Sequence, residues 1–215
     1  MRTKMLPGEI ERASMEMIAR ELAQRDISIP PEQEAVVKRV IHTTADFDFA
    51  QTLRFSEHAV ALGVASLKNG TNIVTDTNMA RSGVSRPSLE KLGGQVFCYM
   101  ADADVAQAAK TQGTTRAAAA MEKMVREQPG AILAVGNAPT ALLELAEQIE
   151  GGLRPALVIA APVGFLNVVE SKERIWKVCL AHQVPIIAAM GRKGGSTVAA
   201  AICNALLYTA VGREV

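Results

Sequence analysis

The chain has 215 residues, 49% of them hydrophobic and 21% charged, which excludes a disordered, collagenous or disulfide-rich scaffold. A chain this long buries roughly 70% of its unfolded surface, so a core needs no disulfide or metal staple. The net charge of +1 and the 4% aromatic content argue against a nucleic-acid partner, which calls for a basic face or stacking rings.

The N-terminal third reads as helical. Pro7-Gly8 opens a run through Gln24 with Ile10, Met17, Ile18 and Leu22 assigned to one face. Pro30-Pro31 starts a second helix, because proline is tolerated in a first turn, and it ends near His42-Thr43-Thr44. A third helix is expected from about Ala50 to Lys68, stopped by Asn69-Gly70. After Gly70 short apolar runs alternate with helical stretches. The runs are 71–75, 95–99, 131–135, 156–160 and 185–189; the helices are 114–127, 139–150, 168–182 and 196–211. Most of the runs are continuous rather than alternating, as in strands buried on both faces. The expected fold is α/β: a mainly parallel sheet flanked by helices, with a helical N-terminal region, in a single domain spanning 1–215.

Met1–Glu9 lacks the apolar core of a signal peptide. The uncharged stretch Gly194–Gly212 contains Asn204 and Tyr208, and reads as a central helix rather than a membrane span. Cys98, Cys179 and Cys203 form no CxxC pair and read as buried thiols in a reducing compartment. A soluble cytoplasmic protein is expected, with no membrane and no nucleic-acid partner.

Ligands of open parallel sheets bind at the carboxyl ends of the strands. There the chain places Asp76-Thr77-Asn78-Met79-Ala80-Arg81-Ser82-Gly83, Gly136-Asn137-Ala138-Pro139-Thr140, Pro162-Val163-Gly164-Phe165-Leu166-Asn167 and Gly191-Arg192-Lys193-Gly194-Gly195-Ser196-Thr197. Small residues also make tight strand-to-helix turns, which accounts for one or two such loops more easily than for four. The last loop joins glycines, two cations and a helix start, a combination suited to an anion. It is not a Walker A loop, and Gly136-Asn137-Ala138-Pro139 is not GxGxxG, so nucleotide binding is unsupported. No GxSxG elbow and no HExxH or comparable metal cluster is present. Of three histidines, His58 and His182 read as structural. His42, in a polar junction at a helix end, is the candidate for proton exchange near neutral pH.

Taken together, Ile41-His42-Thr43-Thr44-Ala45-Asp46, Asp76–Gly83, Gly136-Asn137-Ala138-Pro139-Thr140-Ala141-Leu142, Pro162–Phe165 with Glu170-Ser171-Lys172, and Gly191–Ser196 resemble the precorrin-8X methylmutase family of corrin biosynthesis, in order, from about Glu11 to Leu207. The resemblance implies a homodimeric isomerase that moves a methyl group from carbon eleven to carbon twelve of a tetrapyrrole. No cofactor and no protein-bound metal are implied; cobalt, if present, is carried by the substrate. It implies that His42 is the catalytic proton donor or acceptor and that Ser14 and Arg39 contact substrate. Arg81, Asn137, Thr140, Arg192, Lys193, Gly194, Gly195 and Ser196 complete the expected binding set for a ligand fringed with carboxylates, over an apolar floor that includes Met79, Phe165 and Leu166. Asp76–Ala80 and the Cys98 strand look more like the members that handle the cobalt-bearing substrate. The competing readings are a non-catalytic corrinoid carrier on the same fold and an enzyme acting on a phosphorylated metabolite.

Overall fold

A computed structural model describes residues 6–213, so part of the segment tested for a signal peptide, Met1–Met5, lies outside it. The order of elements is α1 (Pro7–Gln24), α2 (Pro31–Thr44), α3 (Phe49–Thr52), β1 (Leu53–Phe55), α4 (Ala59–Lys68), β2 (Ile73–Thr75), α5 (Asn78–Gly83), α6 (Arg86–Lys91), β3 (Val96–Phe97), α7 (Ala103–Gln112), α8 (Arg116–Glu127), β4 (Ile132–Val135), α9 (Pro139–Glu150), β5 (Leu157–Ala160), α10 (Val168–Ala181), β6 (Ile186–Ala189) and α11 (Ser196–Ala210). One six-stranded sheet runs β1-β6-β5-β4-β2-β3. All neighbours are parallel except β1, which pairs antiparallel with β6. The expected α/β architecture with a helical N-terminal region is therefore present.

The strands β2, β4, β5 and β6 are buried along their whole length, which explains their continuous apolar runs. Helices cover both faces. On one face Val36, Val37, Val40, Leu67, Ile202 and Leu206 pack with α1 against Ile132, Leu157 and Ile187. On the other, Met121, Leu142, Leu145, Ile149 and Ile175 pack against Leu133, Val158 and Ile186. The uncharged Gly194–Gly212 stretch becomes α11, buried over most of its surface, as expected of a central helix. Among the described residues no helix is long and apolar enough to cross a membrane.

Five expectations need correction. The helix expected over 50–68 is interrupted. Leu53-Arg54-Phe55 leaves helical geometry and pairs with Ala189, Ala188 and Ile187, and the strand is locked at its end by Ser56, whose Oγ accepts from Ile186 N at 2.9 Å. Tertiary pairing overrides local helix preference here, as it often does for short β-compatible segments. His58 consequently is not a packed ring inside a helix: it precedes α4 with φ +57°, its side chain 74% exposed beside Glu57. On α1 the buried stripe is Met15, Ile18 and Leu22, while Ile10 and Met17 face outward. α7 fills a stretch where no helix is expected, and ends at Gly113 with φ +65°. Of the thiols, Cys179 and Cys203 are buried and pushed up to about 12, whereas Cys98 is half-buried.

Candidate active site at the carboxyl edge

Strand order reverses between β2 and β4: β2 leads outward to β3, and β4 leads the other way to β5 and β6. Ligand crevices of open α/β sheets form at such a reversal. Asp76 sits at that point, 1% exposed, immediately after β2. Its Oδ1 accepts from Gly136 N (2.8 Å), and its Oδ2 accepts from Asn137 N (2.8 Å) and Ala138 N (2.9 Å). One carboxylate thereby ties the loop after β2 to the loop after β4. Burial pushes the Asp76 carboxyl above its ordinary range, against the pull of those three donors. Sequence reading named the Asp76 loop but gave Asp76 no role. The available signal was a lone acidic residue directly after the short run Ile73-Val74-Thr75.

The other loops are fastened in the same way. Thr77 caps α5 by accepting from Ala80 N, and its Oγ1 lies 2.7 Å from Ser196 Oγ at the start of α11. Gly195 N donates to Ala161 O (2.8 Å) and Gly164 N to Arg192 O (3.2 Å), joining the loops after β5 and β6. These approaches demand glycine. A Cβ on Gly136 would stand 2.7 Å from Ser196 Cα, and one on Gly194 would stand 2.3 Å from Ala161 O. Gly194→Ala must therefore displace backbone rather than a side-chain tip. We expect the variant to fold with its helical circular dichroism intact and to lose at least about tenfold in kcat/KM, the scale of a small misplacement of reacting groups. Wild-type kinetics would show that the loop yields freely.

The α2–α3 junction reaches the same edge, because antiparallel β1 begins opposite the end of β6. α2 terminates at Ala45, whose φ of +54° is left-handed and whose N–H donates to Ile41 O. His42 lies in that last turn, exposed to solvent; among the described residues its ring has no hydrogen-bond partner. The hydroxyls of Thr43 and Thr44 donate back to Arg39 O (2.9 Å) and Val40 O (2.8 Å). Asp46 is engaged by Lys193, whose Nζ donates to Asp46 Oδ2 and Asp48 Oδ2, both at 2.6 Å. Lys193 lowers the Asp46 carboxyl and is itself raised by the two aspartates.

Arg39 is the unusual group of this region. It is 7% exposed, with Nη1 donating to Glu11 Oε1 at 2.6 Å, while Nε and Nη2 are buried without a partner. Burial would raise Glu11, but the hydrogen bonds and charges of Arg39 and Arg213 prevail and hold it below the usual carboxylate range. Tyr208 lies under the Arg39 guanidinium at 5.0 Å. Arg39, Thr43, Thr197, Asn204 and Tyr208 line a cavity of about 220 Å³ along one side of α11. Arg39 is the one charged residue of that lining, and a guanidinium with unpaired donors is suited to a carboxylate.

The remaining expected residues divide. Ser14 lies one turn beyond Glu11 on α1, its Oγ donating to Ile10 O at 2.8 Å. Asn137 is exposed at the rim, and Thr140 Oγ1 accepts from Thr115 Oγ1 at 2.9 Å. Arg192 is exposed, its guanidinium 5.5 Å from the Phe165 ring. Phe165, Leu166 and Met79 are 85%, 81% and 68% exposed, an open apolar surface rather than a lined pocket. Arg81 is not brought to the others: its Nε donates to Val96 O at the outer β3 edge. Lys193 is turned to the two aspartates rather than left as a free cation. The largest cavity described, about 420 Å³ around Glu32 and Phe55–Ala61, lies at the amino edge and holds none of the expected residues.

Lys172 escaped assignment although its motif stood out. It is fully buried, and its Nζ donates to Gly191 O (2.8 Å) and Lys193 O (2.9 Å). Burial pushes its pKa down to about 8, because removal from water penalises the ammonium form. In the unfolded chain the same group titrates near 10.5. Between those values the unfolded chain binds more protons than the folded one, so stability rises with pH across the window. The urea midpoint of the wild type is expected to climb from pH 8 to pH 10 relative to Lys172→Met, which lacks the titration. Parallel curves for the two proteins would refute it.

Among the described residues no cluster of three or more His, Cys, Asp or Glu is placed to hold a metal ion. The fold and site thus define an open-sheet α/β protein whose strand-end loops are tied together at the carboxyl edge. The chain belongs to the precorrin-8X methylmutase family, whose model matches residues 9–209. It is 43% identical over 201 residues to the cobalt-precorrin-8 methylmutase of Priestia megaterium, covering 93% of this chain and 87% of that one. Against the cobalt-precorrin-8 methylmutase of Salmonella typhimurium the identity is 46%, over 83% of this chain and 82% of the relative. The precorrin-8X methylmutase of Pseudomonas aeruginosa is 40% identical, over 83% and 85%. The crystal structure of precorrin-8x methyl mutase from Thermus thermophilus superposes with a TM-score of 0.83 at 38% identity, over 96% of this chain and 99% of that one.

Proposed function

We propose that this protein is an isomerase of cobalamin biosynthesis that moves a methyl group from carbon eleven to carbon twelve of cobalt-precorrin-8, through one domain that spans the chain. The observation that carries the ligand chemistry is Arg39, a buried guanidinium with two unpartnered nitrogens and the one charged residue lining a small cavity. That cavity takes one carboxylate arm and not a macrocycle, whose ring then rests on the exposed Phe165, Leu166 and Met79. Ser14, Asn137, Thr140, Arg192 and the Gly194-Gly195-Ser196 turn supply further polar contacts around the ring. Lys193 acts through Asp46 and Asp48. Support for the cobalt-bearing substrate comes from the names of the relatives in Priestia megaterium and Salmonella typhimurium.

The methyl shift is intramolecular, so atoms and electrons balance within the substrate and no donor or cofactor is consumed. The protein's contribution is one proton. His42, at the helix end and open to solvent, places it on a ring nitrogen, redistributes density in the conjugated system and recovers it afterwards. The protein works in the cytoplasm as a homodimer, which sedimentation of the purified protein tests.

The deciding experiment is conversion of cobalt-precorrin-8, followed by its absorption change, at many turnovers per protein. A single equivalent bound without conversion would favour the carrier reading; preference for phosphate esters over corrin intermediates would exclude both. Within this reading Arg39→Met and Arg192→Ala should raise KM by about tenfold or more with a smaller change in kcat, because carboxylate contacts remote from the migrating methyl are made in ground and transition states alike. Normal KM with lost turnover would remove them from the binding set.

A further inference from the structure

The Glu170-Ser171-Lys172 motif and the pairing of Lys193 with two aspartates belong to one chain of contacts. Burying a lysine is costly, and an apolar residue of similar volume would fill the space without that cost. Among the described residues Lys172 has no carboxylate partner. Its two acceptors are the backbone carbonyls of Gly191 and Lys193, at 2.8 and 2.9 Å. The group therefore holds a turn in shape. From that turn Lys193 reaches Asp46 and Asp48. Asp46 in turn accepts from Asp48 N at 3.0 Å, which closes the segment directly after the left-handed Ala45. His42 occupies the last turn before it. The same turn is gripped from the other side by Gly164 N, on the loop that carries Phe165.

We propose that Lys172 is a positioning residue for the methyl transfer: through the Gly191–Lys193 turn and the ion pairs of Lys193, it sets the segment on which His42 is placed. The proposal rests on the function given above for the role of His42, but the coupling itself is a property of the folded chain. Lys172 touches no reacting atom. It joins α10 to the turn after β6, and Lys193 joins that turn to the end of α2. Three stretches far apart in sequence are thereby held in one arrangement at the edge of the sheet.

The test uses the full-length protein as Lys172→Met, Lys193→Met and the double variant, with hydrogen exchange and single-turnover kinetics on each. Both single variants are expected to speed amide exchange over residues 43–48, and Lys172→Met also over 189–195. Each should lower kcat by about tenfold. The double variant should be no worse than the poorer single variant by more than about threefold, because the two changes break one chain of contacts. Independent roles would multiply to about a hundredfold, and that result would overturn the proposal. Unchanged exchange over 43–48 in Lys193→Met would overturn it as well. If Lys172→Met fails to fold, Lys172→Gln, which shortens the reach but keeps donors, takes its place. If the wild type converts no substrate, the function proposed above fails while the exchange measurement still decides the coupling.

Discussion

His42→Ala is expected to fold with nearly the wild-type Tm, to bind the corrin product, and to convert cobalt-precorrin-8 at least about 10²-fold more slowly, the scale of losing a positioned acid–base group. The structure separates the histidine's chemistry from any structural duty. Its side chain is exposed and, among the described residues, makes no hydrogen bond, so truncation orphans nothing. The helix end is secured without it, by Ala45 N–H on Ile41 O and by the hydroxyls of Thr43 and Thr44 on carbonyls one turn back. Surface changes of this kind shift stability by roughly 0.5 kcal/mol or less. His42→Asn distinguishes proton transfer from hydrogen bonding. Asn donates and accepts hydrogen bonds but does not exchange a proton near pH 7, so turnover should stay as low as in His42→Ala. Single-turnover absorption with separate ligand titration gives the answer. Near-normal conversion in both variants would end the acid–base assignment.

Asp76→Ala is expected to have the largest effect on stability. The change leaves three backbone N–H groups, those of Gly136, Asn137 and Ala138, without their acceptor inside the protein. A fully buried orphaned donor costs about 1–3 kcal/mol; the Gly136 bond is buried and those of Asn137 and Ala138 are part-buried, so a loss on the order of 3 kcal/mol follows. For a chain of this size each kcal/mol moves Tm by about 2–4 °C, which places the drop near 10 °C. Activity should fall with it even where the variant is folded, since the loops on either side of the strand reversal are no longer tied together. Asp76→Asn keeps one acceptor oxygen but turns an amide N–H₂ toward a donor, and should fall between. A calorimetric scan of the three proteins checks the order; equal Tm values for Asp76→Ala and wild type would show that water replaces the carboxylate at no cost.

The sheet was legible because burial on both faces leaves a plain mark: continuous apolar runs at 131–135, 156–160 and 185–189 that became β4, β5 and β6. The helices that follow them were legible from their periodicity and their proline or small-residue starts. β1 was not. Leu53-Arg54-Phe55 is too short for its alternation to stand out within a stretch that reads as helical, and its conformation is decided by β6, more than 130 residues away. α7 was missed because its buried side is only Val105 and Ala109, too small a stripe to register as a face.

By itself the sequence determined the fold class, the family, the loops that line the carboxyl edge and the place of His42 at a polar helix end. Each of those is written in residues near one another in the chain: apolar runs, glycines and charge directly after strands, a polar helix end. What only the tertiary structure decided is which charges are free. Arg39 pairs with Glu11 through one nitrogen and leaves two unpartnered, Lys193 is spent on Asp46 and Asp48, and Lys172 and Asp76 hold loops. Nothing local distinguishes these four, because whether a charge is available depends on what faces it, and what faces it here comes from other strands and helices. Electrostatic roles are set by distances across the fold, whereas secondary structure is set largely by distances along the chain.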